Sequence, residues 1–416
     1  MATSLLALAG CGEGSYNSIE LMPSPAIYTS GALDPFPNLN GETFKDQTKL
    51  FYVTDRMPAD GSSKATRYNN ARGHLLRAGT ANITLSPPVK NWDQIRQLTQ
   101  LDNREHKYKL AVSETNEIGI LPVSSAEFLE NPPSDKIMGV AGREFTQQIN
   151  AQLAGSSNKD IFIYIHGYNV DFEYPVLVSK ELQHFLGYQG AFISYNWPAT
   201  PNRFAYFKDL ETAKVTQRNL RELLQFLSDH TNARQINLIG YSMGSRLAFD
   251  VTYQIALLKK GNNDKAPRLG HVILIGSDLD RAYFGQALAD GLLAAVQKFT
   301  IYMSKTDSAL NISKILFSRE RLGQLWQGGK SLPSLERKLA QLDKLSLIDV
   351  TQAKAAGSGN GHWYFRSSPW VSSDVFASLL FDLPPQKRGL VRQENSAIWQ
   401  FPQNYLQKLT DALSSN

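Results

Sequence analysis

The chain of 416 residues is 42% apolar and 19% charged, a balance that supports a sizeable core and excludes wholesale disorder. Its 43 Lys and Arg against 38 Asp and Glu leave a net charge of +5, spread along the sequence and not gathered into a block, so nucleic acid is not implied as a partner. No apolar run approaches the roughly 18 residues of a spanning helix, and the folded domain is not expected to cross a membrane.

Cys11 is the single cysteine, which excludes an intrachain disulfide and any multi-cysteine metal cluster. Leu8-Ala9-Gly10-Cys11 follows the short apolar stretch Leu5-Leu6-Ala7 and resembles a bacterial lipoprotein box, in which the cysteine is lipidated and becomes the new N-terminus. That resemblance implies a leader over residues 1–11, a lipid anchor at Cys11 and a place at the cell envelope. Met1 to Gly10 carries no Lys or Arg, unlike the charged opening of a secretory leader. The alternative is an ordinary N-terminus with a chance tetrapeptide, on a cytoplasmic protein. Residues 12–45, rich in Gly, Ser, Pro and Asn without periodicity, read as a flexible tether outside the fold.

Residues 46–416 read as one domain. Its first part, 46–140, is β-rich: Lys49 to Thr54, Ala81 to Leu85 and Lys109 to Val112 are strand candidates separated by breakers such as Asp60-Gly61 and Pro87-Pro88. After residue 140, short apolar strands alternate with longer amphipathic stretches, the pattern of a mainly parallel sheet with helices on both faces. The strand candidates there are Ile161 to Ile165, Ala191 to Tyr195, Ile236 to Ile239, His271 to Ile275, Phe299 to Met303 and Leu345 to Val350. Most are nearly continuous apolar runs, as strands buried on both faces require. Asp209 to Leu227, Ser245 to Leu258 and Leu332 to Leu342 read as helices. Residues 308–330, with Leu310, Ile315, Phe317 and Trp326 among charges, stand where a cap would lie; the alternative is an amphipathic excursion packed on the core.

The chemistry centres on Gly240-Tyr241-Ser242-Met243-Gly244. A serine hydroxyl is a weak nucleophile at neutral pH and must be both exposed and relieved of its proton. A strand ending at Ile239 and a helix starting near Ser245 put Ser242 in a tight turn, where side chains at 240 and 244 would collide with the neighbouring strand and helix. The helix also directs free N–H groups and its positive dipole end toward the serine.

Strand, turn and helix here resemble the nucleophile turn of the α/β-hydrolases, and Ile163-Tyr164-Ile165-His166-Gly167-Tyr168-Asn169 resembles their oxyanion strand and loop. With Tyr52-Val53-Thr54-Asp55-Arg56, Tyr195-Asn196-Trp197-Pro198, Ser245-Arg246 and Gly361-His362, the chain is similar to a bacterial α/β-hydrolase family of mostly unassigned substrate, over roughly residues 49 to 365. The resemblance implies the α/β-hydrolase fold and a triad in the order Ser, acid, His.

Of seven histidines only His271 and His362 follow Ser242. His271 opens a strand at the sheet end opposite the catalytic loops and reads as structural. His362 follows a flexible loop, Ala356 to Gly361, and is assigned general base and then general acid. His166, by resemblance, shapes the oxyanion loop together with Gly167. The N–H groups of Tyr168 and Met243 are the implied oxyanion donors. Asp307 is the preferred acid, with Asp280 and Asp278 as rivals; Asp349 reads as scaffold.

No phosphate loop, His-Glu-x-x-His zinc site or dinucleotide fingerprint occurs, so no metal or cofactor is expected. The expected activity is hydrolysis of small-molecule or lipid-like carboxylic esters through an acyl-serine, with thioesters and amides open. The rival from another class is a catalytically silent lipoprotein that uses the fold for binding.

Overall fold

The computed structural model describes residues 17–36, 47–59, 67–261, 265–310, 322, 333–394 and 396–414. Its strands are β1 (Ser18–Glu20), β2 (Lys49–Pro58), β3 (Tyr68–Ser86), β4 (Lys109–Ile120), β5 (Ile161–Ile165), β6 (Ala191–Asn196), β7 (Ile236–Tyr241), β8 (Leu269–Ile275), β9 (Val296–Met303), β10 (Leu345–Asp349), β11 (Val391–Arg392) and β12 (Ile398–Gln400). They form one sheet in the order β1-β4-β3-β2-β6-β5-β7-β8-β9-β10-β12-β11. From β2 across to β12 every neighbouring pair is parallel; β1, β4 and β3 on one edge and β11 on the other are antiparallel additions. The six expected strands after residue 140 are therefore β5 to β10, and the β-rich start is the antiparallel edge.

Among the described residues the main helices are α1 (Ala26–Thr29), α2 (Trp92–Gln100), α3 (Asp135–Ala154), α4 (Glu173–Phe185), α5 (Tyr206–His230), α6 (Met243–Lys260), α7 (Arg281–Ala289), α8 (Pro333–Ala340), α9 (Pro369–Phe381) and α10 (Tyr405–Ser414), and a single helical turn, Tyr364–Ser367, precedes α9. Alternation of side chains along each strand sorts them onto two faces. Ile161, Ile163 and Ile165 of β5, Leu238 of β7 and Leu274 of β8 pack with Phe145 of α3, Leu223 of α5 and Leu247 of α6. Phe162, Tyr164, Ile239 and Ile273 pack on the other face with Val176 of α4, Val375 and Phe376 of α9 and Leu409 of α10. Coverage of both faces is why the central strands carry no polar alternation. Among the described residues no helix is long and apolar enough to cross a membrane.

One expectation is corrected. Residues 12–45 read in sequence as a tether, but the described part, 17–36, is built into the domain. Strand β1 pairs with β4 from Ser18↔Ala111 to Glu20↔Lys109. Ile19, Met22, Ile27, Tyr28 and Phe36 are buried in the second core. Met22 N–H donates to Glu181 Oε1 at 2.6 Å, Ile27 N–H to Ser373 Oγ at 3.0 Å, and the Tyr28 hydroxyl to the Phe185 carbonyl. The segment escapes pattern reading because its apolar residues are anchored one at a time, at no regular period. Residues 1–11, the expected leader, and most of the expected cap at 308–330 lie outside the described residues. Leu322 is described: it is buried, and its N–H donates to Leu279 O at 2.8 Å.

Tyr28→Ala separates a tether from a built-in segment. An exposed tether residue would shift stability by no more than about 0.5 kcal/mol, whereas removal of this buried ring is expected to cost about 3–5 kcal/mol. The midpoint of urea unfolding, at unchanged slope, measures the difference.

Candidate active site

Strand β7 ends at Tyr241 and α6 begins at Met243, so the chain reverses within Ser242 alone. Ser242 adopts φ 53° and ψ −121°, a left-handed conformation rare for a residue with a side chain. Three bonds hold it there: Ser242 N–H to Ile275 O (2.9 Å), Ser245 N–H to Ser242 O (3.0 Å) and Ser245 Oγ to Ser242 O (2.5 Å). The flanking glycines are required by contact. A β-carbon at Gly240 would stand 2.7 Å from Ser245 Cα, and one at Gly244 only 2.2 Å from Ile165 O and 2.3 Å from His166 O. The start of α6 is thus pressed against the end of β5.

The loop that leaves β5 lies on the serine. A β-carbon at Gly167 would meet Ser242 Cβ at 3.1 Å. His166 is buried, its ring stacked 5.1 Å from that of Trp197 with 6° between the planes, and Trp197 Nε1–H donates to His166 O at 2.7 Å. Its Nδ1 stands 2.6 Å from Gly167 O and is the donor, since a carbonyl only accepts. Burial, aided by the Arg56 cation, holds the His166 pKa well below its ordinary value, so the ring is neutral near pH 7. Because the peptide is planar and trans, fixing Gly167 O on His166 sends the Tyr168 N–H the opposite way. The Ser242–Met243 peptide is fixed alike: its carbonyl is engaged by Ser245, and the Met243 N–H occupies the open first turn of α6.

His362 and Asp307 meet on the loops after β10 and β9. His362 Nδ1 is 2.7 Å from Asp307 Oδ2, and both side chains are buried. Asp307 Oδ1 also accepts from Leu310 N–H at 3.1 Å. The imidazole stands beside the Ser242 turn, its ring 5.0 Å from that of Tyr241. Pinning, and not a loose loop, brings it there. Ser308 N–H and Oγ donate to Asn360 O at 3.0 and 2.8 Å, and His362 N–H donates to Asn360 Oδ1 at 3.1 Å. Gly361, at φ +67°, sits so close to Thr306 that a β-carbon would be 2.5 Å from its carbonyl oxygen.

The rival carboxylates are engaged elsewhere. Asp280 caps α7, accepting from Ala282 N–H (2.8 Å) and Tyr283 N–H (3.0 Å). Asp278 accepts from the Tyr206 hydroxyl and lies 3.6 Å from Arg246. His271, early in β8, bonds Asp382 Oδ1 at 2.6 Å and is held below its usual pKa by burial. Asp349 Oδ1 accepts from Thr351 N–H at 2.8 Å, a local turn.

Two site residues, Gly276 and Tyr364, are missing from the sequence reading. Gly276 follows β8 at φ +56°, and a β-carbon there would stand 2.9 Å from His362 Cε1 and 3.1 Å from Nδ1. Its N–H donates at 2.5 Å to the hydroxyl of buried Tyr364, which in turn donates to Tyr302 O at 2.9 Å. A glycine after an apolar strand was the available signal for the first; for Tyr364 there was none.

A parallel sheet in this order, with a strand–Ser–helix turn on β7 and an imidazole–carboxylate pair on loops two and three strands further on, defines the α/β-hydrolase class. Residues 141–380, more than half of the chain, match the family described as "Alpha/beta hydrolase of unknown function (DUF900)", and the chain belongs to that family. No curated protein matches the sequence. Among solved structures the chain is similar to esterase B from Lactobacillus rhamnosis, seen with a C4-C4 SN3 tributyrin phosphonate, at 16% identity and a TM-score of 0.24. That likeness covers 39% of this chain and 60% of the esterase chain, and is too slight to bear on function.

Gly276→Ala tests the packing around the imidazole. The positive φ alone is expected to cost about 1–2 kcal/mol, and the methyl group to push His362 off Asp307. The low-field proton resonance of a carboxylate-bound imidazole N–H, expected in the wild type, should then disappear.

Proposed function

We propose that the protein hydrolyses carboxylic esters through an acyl-Ser242 intermediate. The observation that carries this reading is the 2.7 Å contact of Asp307 with His362 Nδ1, on an imidazole that lies beside the strained Ser242 turn. With Nδ1–H donated to Asp307, Nε2 keeps its lone pair and is the proton acceptor. Ser242 Oγ attacks the ester carbonyl carbon while its proton passes to Nε2. The carbonyl electron pair moves onto oxygen, where the N–H groups of Tyr168 and Met243 receive the charge. Collapse expels the alkoxide, which takes the proton from His362. Water then repeats the sequence against the acyl-enzyme and returns free Ser242 and the carboxylic acid. Asp307 orients the imidazole and balances its transient charge without taking the proton. Thioesters and amides pass through the same steps; esters need the least help in expelling the leaving group.

Exposure to a fluorophosphonate probe and hydrolysis of p-nitrophenyl esters of increasing acyl length test the assignment. Ser242→Ala should lose labelling and about 10⁶-fold in kcat. Asp307→Asn should lose about 10⁴-fold, with Asp280→Asn and Asp278→Asn close to wild type. Labelling that survives in Ser242→Ala refutes the nucleophile, and loss of turnover in Asp280→Asn with Asp307→Asn intact refutes the acid.

The lipoprotein-like Leu8-Ala9-Gly10-Cys11 supports a further part of the proposal, that the enzyme is held at the cell envelope by a lipid on Cys11. Cys11→Ser should then move it from the membrane fraction to the soluble fraction, and an unchanged distribution ends the idea.

A further inference from the structure

Thr54, Asp55 and Arg56 lie toward the end of β2, beside the loops that follow β5 and β6, and all three are buried. Thr54 Oγ1 donates to Asn196 O at 2.6 Å, and Asp55 Oδ2 accepts from Thr216 Oγ1 (2.6 Å) and Asn219 Nδ2 (2.9 Å) on α5. Arg56 reaches the other way. Its Nη2 donates to Val170 O at 3.3 Å and Asp171 O at 3.0 Å, and its Nη1 to Ala199 O at 3.1 Å and to Asn70 Oδ1. Burial brings the guanidinium down to about 10, and the carboxylates of Asp171, Asp55, Glu173 and Asp209 favour its charge.

A guanidinium withdrawn from water carries a large desolvation cost, and this one ends mainly on backbone oxygens. Those at 170 and 171 directly follow Gly167-Tyr168-Asn169, a stretch bent through a positive φ of 61° at Asn169. The planar fork holds the two successive carbonyls through Nη2 while Nη1 holds Ala199 O, after β6, and Asn70, on β3, so the loop is fixed in orientation against two other elements, which the single nitrogen of a lysine cannot do. We infer that Arg56 is a positioning residue for the loop that leaves β5. It anchors the far end of that loop to β2 while His166 Nδ1–H anchors the near end, so that the Tyr168 N–H between them stays on the Ser242 side. The inference rests on the proposed reading of Ser242 as nucleophile and of the Tyr168 N–H as an oxyanion donor.

Arg56→Lys in the full chain, compared with wild type, is the test: it keeps the charge and removes the fork. The readouts are kcat and KM on p-nitrophenyl butyrate and the inhibition constant of an alkyl trifluoromethyl ketone, whose bound oxyanion needs the same N–H groups. A displaced donor should lower kcat by about tenfold to a hundredfold, leave KM within about twofold, and raise the ketone constant by the same factor as kcat falls. A folded variant with unchanged kcat, or with its loss in KM alone, overturns the inference. Should Arg56→Lys fail to fold by near-ultraviolet circular dichroism, Asn70→Ala decides, because it frees one arm of the guanidinium from half-buried β3. A fall in kcat of about threefold or more at unchanged KM supports positioning, and an unchanged kcat overturns it. A wild type that neither turns over ester nor labels at Ser242 overturns the nucleophile reading itself, and is distinct from an active wild type indifferent to Arg56.

Discussion

The end of β5 and the first turn of α6 approach so closely that position 244 has room for a hydrogen and nothing larger. A β-carbon there would overlap the carbonyl oxygens of Ile165 and His166, at 2.2 and 2.3 Å. The remaining site geometry follows from this contact. To bring the helix in so steeply, the chain must turn within Ser242, whose backbone conformation costs about 1–3 kcal/mol. The helix repays that cost several times over, because Leu247, Val251 and Ile255 are fully buried along one face and each contributes about 1.5–3 kcal/mol. The same contact lays the Gly167 backbone against Ser242 and leaves the Met243 N–H at an open helix end.

Around this point the rim of the sheet is tied by polar groups that burial would otherwise penalise. Each strand that ends leaves N–H and carbonyl groups outside the ladder, and they must find partners. Trp197 Nε1–H takes the His166 carbonyl, Asn196 Nδ2 takes the Phe172 carbonyl at 3.1 Å, Arg56 takes those of Val170, Asp171 and Ala199, and Arg246 Nη2 takes that of Asp278 at 2.8 Å. Loops that would be mobile on an ordinary surface are thereby held to the scaffold.

Ser242 also lies where the two cores meet. Tyr241 belongs to one, with His362, Trp363 and Phe365 at ring distances of 5.0, 4.5 and 5.1 Å; Met243 belongs to the other. In the proposed reaction, charge that develops on the substrate oxygen faces aimed N–H groups in a poorly solvated place, where they act more strongly than in water.

Apolar runs and glycine spacing sufficed to read β5 to β10, α5, α6 and the turn at Ser242, because each is specified locally: a strand buried on both faces cannot alternate, and a one-residue reversal excludes side chains beside it. Residues 17–36 give no sequence signal because their apolar side chains dock singly into a core made by distant helices, which leaves no period to detect. Chain order left His271 and His362, and the strand position of His271 favours His362; Asp307 is preferred by its place after β9, but Asp278 and Asp280 also follow a parallel strand and stay as rivals. Only the tertiary structure separates them: Asp307 meets the imidazole, while the other two are taken up by a helix cap and by Tyr206. The contacts of Gly276, Tyr364 and Arg56 belong to the same category: a glycine after a strand and a family-like segment mark two of these positions, but partners up to 143 positions away carry no local signal. Sequence alone determined which strand bears the serine, because backbone geometry there is local; the neighbours of that serine were decided by packing across the whole sheet.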